Sequence, residues 1–173
     1  DRQIRKITST PELIIALIIL YMRKIFLAVS DVKKNNWQRN LFIGNTLQGK
    51  TIGIIGYGRI GKKLETYAKA FGMKVLVYEK KKIKKNHNKF VNLKSLLSTS
   101  DIVSLNINYN EKLKNFFDYN YFKLMKRNAL FVNTSRGELI SENCLIKALK
   151  QKIISGAILD VLSEQRIGEK IKN

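Results

Sequence analysis

A glycine-rich motif and an acidic residue downstream of it are the part of this sequence with the clearest chemical meaning. Gly56, Gly58 and Gly61 follow the spacing G-x-G-x-x-G, and Glu79 comes 18 positions after the last glycine. Between a strand and a helix, such glycines permit a tight turn, let a pyrophosphate approach the backbone and let the helix pack on the strand. The acidic residue can accept hydrogen bonds from ribose hydroxyls. The motif predicts a dinucleotide-binding turn, and the alternative is a glycine turn that binds nothing.

Glu79 also bears on which dinucleotide would bind. A carboxylate repels the 2′-phosphate of NADP, so Glu79 favours NAD as the cofactor. Lys80, Lys81 and Lys82 follow directly. Their positive charge leaves NADP open as the alternative.

The chain around the motif alternates short apolar strands with helices. The predicted strands are Thr51–Ile55, Lys74–Tyr78, Ile102–Leu105, Leu130–Asn133 and 155–159. The predicted helices follow the glycine motif and cover 93–97, 119–125 and Glu142–Lys150, the last with Ser141 as N-cap. The residues predicted to face inward from two of these helices are Leu64, Ala68, Phe71, Leu145, Ala148 and Leu149. This alternation predicts an α/β fold of Rossmann type, with a doubly wound parallel sheet in three layers.

An apolar run near the start of the chain predicts one more helix. Leu13–Met22 is about half the roughly 20 residues that cross a bilayer, so we expect no membrane span. Thr10 as N-cap and Pro11 at the first helical position predict a helix over 11–27. A helix this apolar is expected to be buried against its own domain or a partner subunit.

The predicted organisation has three parts. Residues 1–46 form an N-terminal helix and connection, 47–165 a cofactor domain, and 166–173 a tail. Because the chain starts at Asp1 and ends after a polar stretch, we expect a piece of a longer protein.

Composition excludes several classes of site. A single Cys and a single His rule out an internal disulfide framework and any Cys/His zinc site, and we expect no metal. The formal net charge of +20 raises the alternative of a nucleic-acid binder. The lysines, however, are scattered among Asn and Ile, and no predicted element collects Arg on one face, which argues against it. The one dense lysine run surrounds His87.

Several motifs in order resemble one family, the D-isomer-specific 2-hydroxyacid dehydrogenases. The stretch LQGKTIGIIGYGRIGKKLETYAKAFGMKVLVY resembles that family's cofactor domain, and the opening TSTPELIIALIILYMRK resembles its long helix before the glycine motif. The remaining matching stretches are DIVSL, LMK, NTSRG and LDV, at 101–105, 124–126, 133–137 and 159–161.

The resemblance implies an NAD-dependent enzyme that transfers a hydride between the cofactor and a small 2-hydroxy or 2-oxo acid, in a cytoplasmic homodimer. It places one set of residues along the cofactor: Gly56, Gly58, Arg59, Ile60, Gly61, Glu79, Ile107, Thr134, Ser135, Arg136 and Asp160. It also places Arg136 at the substrate, where a guanidinium can pair with a carboxylate and polarise the adjacent carbonyl. The alternative for Arg136 is a bridge between carboxylates of the protein.

Departures from the family pattern weaken the case for turnover more than the case for cofactor binding. Gln165 stands where the family has the Glu that supports a catalytic His, and Glu164 could take that place after a one-residue shift. Formate dehydrogenases of the same superfamily carry Gln there. The family's catalytic His would lie beyond Asn173, and His87 falls on the adenosine side. Further departures are Asn106, Asn108 and Arg166. They leave open a non-catalytic NAD-sensing or corepressor-like interaction protein.

Overall fold

Five parallel strands form one sheet in the computed structural model, which describes residues 8–80 and 89–163. The strands are β1 (Thr51–Ile55), β2 (Lys74–Tyr78), β3 (Ile102–Leu105), β4 (Leu130–Asn133) and β5 (Gly156–Leu159). The helices are α1 (Ser9–Met22), α2 (Ile25–Val32), α3 (Arg59–Ala70), α4 (Leu93–Thr99), α5 (Tyr119–Leu124) and α6 (Glu142–Lys150). The sheet order is β2-β1-β3-β4-β5, with every pair parallel.

A single residue outside β2 extends this order. Phe90 forms a parallel bridge with Val77, because the Val77 N–H donates to the Lys89 carbonyl at 2.7 Å and the Val91 N–H donates to the Val77 carbonyl at 3.0 Å. Counted as a short strand, this segment gives the order 3-2-1-4-5-6 of dinucleotide-binding folds. The sequence analysis missed it because one bridging residue carries no strand periodicity.

Alternating side chains build a core on each face of the sheet. Val103 and Phe131 face one core, where Phe117 contacts Phe131 with ring centroids 4.7 Å apart. Ile102 and Leu130, their neighbours along the same strands, face the other core. There α1 and α3 contribute, among others, Ile14, Ile18, Leu64 and Ala68. The predicted three-layer arrangement is confirmed.

The strand register brings the carboxyl ends to one edge. Ile55 is level with both Tyr78 and Leu105, Leu105 with Asn133, and Asn133 with Leu159. The loops that follow these five residues therefore leave the sheet side by side. An open parallel sheet places its ligand crevice along this edge.

The N-terminal helix differs from the prediction for 11–27. It begins at Ser9, with Thr8 rather than Thr10 at the N-cap, and Pro11 lies in its third position. It ends at Met22 because Lys24 adopts a left-handed conformation with φ +53°. A second helix then runs at 61° to the first. Within 8–80 and 89–163, no single helix is long and apolar enough to cross a membrane, and this bent pair satisfies that length and composition only when taken together.

Two side chains predicted to face inward are not buried. Phe71 is 46% exposed because α3 ends at Ala70 and Phe71 is its C-cap, and Leu149 is 36% exposed near the end of α6. Ser141 is the N-cap of α6, as predicted, but its side chain makes no capping hydrogen bond. The division at 46 and 165 stays a prediction.

Candidate cofactor and substrate site

The glycine loop joins β1 to α3 at the carboxyl edge of the sheet. Gly56 has φ +94°, and a Cβ there would lie 2.5 Å from the Asn106 carbonyl oxygen. A Cβ on Gly61 would overlap the Gly56 carbonyl oxygen. These two positions therefore require glycine, since they bring α3 and the loop after β3 into backbone contact.

Gly58, the middle glycine of the motif, has free space around its Cα. It is the N-cap residue of α3, and a Cβ there would have no heavy atom of the described chain within 4 Å. No contact with residues 8–80 or 89–163 therefore requires glycine at this position. The open space lies at a helix N-terminus, where free N–H groups and the helix dipole favour a phosphate. The room and the donors fit the pyrophosphate of a dinucleotide.

Glu79 lies beside the same loop, directly after β2. The Tyr57 N–H donates to its Oε2 at 2.8 Å, and the side chain is half-buried. The structure thus brings the carboxylate next to the glycines, as the spacing predicted.

The loop after β3 supports the glycine loop from the other side. The Asn106 N–H donates to the Ile55 carbonyl at 2.7 Å, and its Nδ2 donates to the Ser104 carbonyl at 3.0 Å and to Oγ at 3.1 Å. Its Oδ1 is buried without a partner in the part of the chain that the structure describes. Ile107 is half-buried, and its Cγ2 would meet a Cβ on Gly56 at 2.7 Å. An unpaired buried acceptor at this edge suits a ligand that donates hydrogen bonds.

A network of hydrogen bonds shapes the turn after β4. The Ser135 hydroxyl donates to the Leu105 carbonyl at 2.7 Å, and its N–H donates to Asn133 Oδ1 at 3.0 Å. Asn133 Nδ2 donates in turn to the Arg136 carbonyl at 2.9 Å. Asn133 is fully buried, and the sequence analysis missed its role. A polar residue closing an apolar strand was the available signal.

The remaining predicted residues lie along the same edge. Arg136 and Asp160 are exposed and Thr134 is half-buried. Arg136 Nη1 donates to the Ser135 carbonyl at 2.7 Å, and its guanidinium pairs with no carboxylate of residues 8–80 and 89–163. The Asp160 N–H donates to the Asn133 carbonyl at 3.1 Å. Arg59 and Ile60 are the first two residues of α3, so the predicted cofactor residues all lie at the carboxyl edge of the sheet, and their roles stay predictions.

The chain after β5 passes over the turn that carries Arg136. A Cβ on Gly137 would overlap Leu162 and the Ser163 nitrogen. Glu142 Oε1 accepts the Ser163 N–H at 2.7 Å and the Ser163 hydroxyl at 2.8 Å. The sequence analysis did not identify this role of Glu142. The predicted residues Glu164, Gln165 and Arg166, like His87 and Lys81–Lys82, lie outside the described residues.

A charged cluster formed by Tyr57, Glu65, Lys69 and Lys89 lies next to the glycine loop. Glu65 is 6% exposed. Burial alone raises the pKa of its carboxyl, but hydrogen bonds from Lys69, Lys89 and Tyr57 outweigh burial and lower that pKa from 4.5 to about 2. Burial also lowers the pKa of Lys89, yet its hydrogen bonds to Glu65 and Tyr57 raise it overall. Glu65 and Lys89 are therefore both held in their charged forms.

The described residues contain no group of three or more His, Cys, Asp and Glu side chains that could hold a metal ion. The fold and the edge together define a dinucleotide-binding α/β domain, with phosphate donors at a helix N-terminus and polar loops beside it.

Comparisons with known proteins define the class further. The family model described as "D-isomer specific 2-hydroxyacid dehydrogenase, NAD binding domain" matches residues 15–172. The chain therefore belongs to this family and is its NAD-binding domain.

Individual relatives support this family assignment. A glyoxylate reductase of Thermococcus litoralis is 37% identical over 168 residues, which cover 91% of this chain and 51% of that protein. A D-lactate dehydrogenase of Aquifex aeolicus, solved with NAD and lactic acid, superposes with a TM-score of 0.85 at 30% identity and covers 95% of this chain and 53% of its own. An acyclic imino acid reductase solved with NADPH and D-Arg gives a TM-score of 0.83 at 35% identity, covering 91% of this chain and 52% of its own. The chain spans about half the length of these relatives.

Proposed function

We propose that NAD binds along the carboxyl edge of this sheet and that the longer protein transfers a hydride between NAD and a small 2-hydroxy or 2-oxo acid. The observation that carries the proposal is the open space at Gly58. That glycine caps α3 with room on its outer side, while its neighbours Gly56 and Gly61 are required by contacts within the domain.

The proposal gives each loop one part of the cofactor. The N-terminus of α3, with Gly58, Arg59 and Ile60, would hold the pyrophosphate, and Glu79 would accept hydrogen bonds from the adenosine ribose. Ile107, Thr134, Ser135, Arg136 and Asp160 would line the nicotinamide half. NAD itself supplies the hydride chemistry when bound, and the protein supplies orientation and charge.

Arg136 is the proposed substrate residue. Its exposed guanidinium has five N–H donors in a fixed planar arrangement, which can bind a carboxylate through two hydrogen bonds. Gln165 is the proposed neighbour of the proton-transfer group. An amide carries no negative charge, so it can orient a histidine without raising the pKa of that histidine.

Titration of the 173-residue chain with NADH, followed by fluorescence, tests the cofactor site. Gly58→Asp places a carboxylate where the pyrophosphate would lie, and we expect it to abolish binding while the fold is kept. Asn128→Asp is a matched control that adds the same charge to an exposed position before β4, at the opposite edge of the sheet. Equal NADH affinity in Gly58→Asp and the unaltered chain would contradict the site.

A non-catalytic NAD-sensing or corepressor-like protein is the second candidate. Gln165 and the Asn106 side chain, which is bonded inward to Ser104, favour it because both depart from the family pattern. The two candidates separate in the longer protein: the enzyme oxidises a 2-hydroxy acid with NAD, whereas the sensor binds NADH without turnover.

A homodimer is also part of the proposal, and a cytoplasmic location stays a prediction. The second helix and the segment after it expose large apolar side chains, namely Phe26, Leu27, Val29, Val32, Trp37, Leu41 and Ile43. Large exposed apolar patches mark interaction surfaces. A second copy of the chain is the occupant that the family resemblance supports.

A further inference from the structure

We propose that Glu65, acting through Tyr57, is a positioning residue that fixes the Glu79 carboxylate and thereby the preference for NADH over NADPH. The inference rests on the proposed cofactor site at the glycine loop. It concerns a buried glutamate that the glycine motif does not include and that would touch no part of the cofactor.

Tyr57 is the link between the two carboxylates. Its N–H donates to Glu79 Oε2 at 2.8 Å, and its hydroxyl donates to Glu65 Oε2. Tyr57 is the second residue of the glycine motif. The loop that would carry the pyrophosphate is therefore anchored at that residue to Glu65, a buried residue of α3. A loop residue held at both its main chain and its side chain has little freedom to move.

Lys89 completes the anchor from a third segment. Its Nζ donates to the Tyr57 hydroxyl oxygen and to both oxygens of Glu65, each at 2.8 Å. The same Nζ lies 4.7 Å from the centroid of the Tyr57 ring, and the ring meets Phe90 edge-on at 5.4 Å. Tyr57 is thus enclosed by α3 and by the short edge segment next to β2.

The buried carboxylate of Glu65 carries a desolvation cost that an apolar side chain on this face of α3 would avoid. A carboxylate supplies what an apolar side chain lacks, which is a directional acceptor for the Tyr57 hydroxyl and a counter-charge for Lys89. Both fix where the loop backbone lies. The Tyr57 N–H, placed in this way, donates to the Glu79 carboxylate and helps to orient it.

The consequence for binding is a change in specificity. A fixed Glu79 carboxylate accepts hydrogen bonds from the ribose of NADH and repels the 2′-phosphate of NADPH. If the carboxylate is released, NADH loses those bonds while NADPH loses the repulsion. The ratio of the two dissociation constants therefore reports the orientation of Glu79, and a general loss of stability would not change that ratio.

The test compares Tyr57→Phe and Glu65→Met with the unaltered 173-residue chain, using fluorescence titrations with NADH and with NADPH. Tyr57→Phe keeps the ring and its packing on Phe90 but removes the hydroxyl. We expect each variant to weaken NADH binding by roughly tenfold and to bring the NADPH-to-NADH ratio of dissociation constants towards one. The double variant should lose little more than either single variant, because the two groups act through one hydrogen bond.

Lys69→Met is the matched control. Lys69 also pairs with Glu65, at 2.8 Å, but its side chain is 61% exposed, and among the described residues the lysine that donates to the Tyr57 hydroxyl oxygen is Lys89. It should leave the ratio unchanged. A ratio that is the same in Tyr57→Phe, Glu65→Met and the unaltered chain would overturn the inference, as would an unaltered chain without a preference for NADH. If Gly58→Asp leaves NADH binding intact, the cofactor site itself is misplaced, which is a separate result.

Discussion

The Ser135 hydroxyl donates a 2.7 Å hydrogen bond to the main-chain carbonyl of Leu105. Leu105 ends β3 and Ser135 lies in the turn after β4, so one side chain joins two neighbouring loops of the proposed cofactor edge. The same turn carries Arg136 one residue further on. The position of the proposed substrate arginine therefore depends on a contact between two strands.

Ser135→Ala should destabilise the fold and weaken NADH binding. The substitution removes one partly buried hydrogen bond, a loss of about 1 kcal/mol in the free energy of unfolding. Urea denaturation measures it. Ser98→Ala is the control, because the Ser98 hydroxyl makes only an exposed 3.3 Å bond within its own helix. Similar losses in both variants would contradict the role given to Ser135.

Gly56→Ala should cost more stability than Gly49→Ala. Both residues have positive φ, +94° and +78°, which costs an alanine about 1–2 kcal/mol. A Cβ at Gly49 meets nothing within 4 Å, whereas one at Gly56 lies 2.5 Å from the Asn106 carbonyl oxygen. That overlap should add about 1–3 kcal/mol. Urea midpoints of the two variants give the comparison, and equal losses would show that the loop moves freely away from Asn106.

Glu65 should contribute to the pH dependence of the free energy of unfolding. Its pKa is lower in the folded chain, at about 2, than the ordinary 4.5. The resulting stabilisation is fully present above pH 4.5 and is lost as the pH falls through about 2, with an upper size of about 3 kcal/mol. Glu65→Gln lacks this share, so its urea midpoint should fall less steeply between pH 4.5 and 2. Parallel curves for the variant and the unaltered chain would exclude it.

The sequence predicted the sheet well and the charged cluster not at all, for physical reasons that differ. Each strand is a short apolar run bounded by glycine or polar residues. Such a run is typical of a parallel strand that is buried on both faces of the sheet. The break at Lys24 had no local signal, because lysine is not a residue type that favours positive φ. Glu65 was missed because a glutamate in a helix is typically exposed, and its partners Tyr57 and Lys89, eight and 24 residues away, belong to other elements.

The exposed apolar surface predicts self-association. Phe26 is 75% and Trp37 81% exposed, and a charge at either position would have to be buried in a dimer interface. We expect Phe26→Asp and Trp37→Asp to give a monomer where the unaltered chain sediments as a dimer at micromolar concentration. Ile146→Asp on α6 is the control, since that side chain is also apolar and 49% exposed. A monomeric unaltered chain would contradict the homodimer.

Arg136 should determine the affinity for a 2-oxo acid in the presence of NADH. Arg136→Gln removes the charge, whereas Arg136→Lys keeps the charge but loses the planar pair of donors. We expect glyoxylate binding to weaken in both variants, and more strongly in Arg136→Gln. Competition against the NADH fluorescence signal measures it, with a loss of at least about tenfold for Gln, the size of one charge-assisted hydrogen bond. Arg127→Gln removes the same charge from an exposed position before β4, at the opposite edge of the sheet, and should leave glyoxylate binding unchanged. If Arg127→Gln and Arg136→Gln weaken it equally, the effect comes from net charge and Arg136 does not bind the carboxylate.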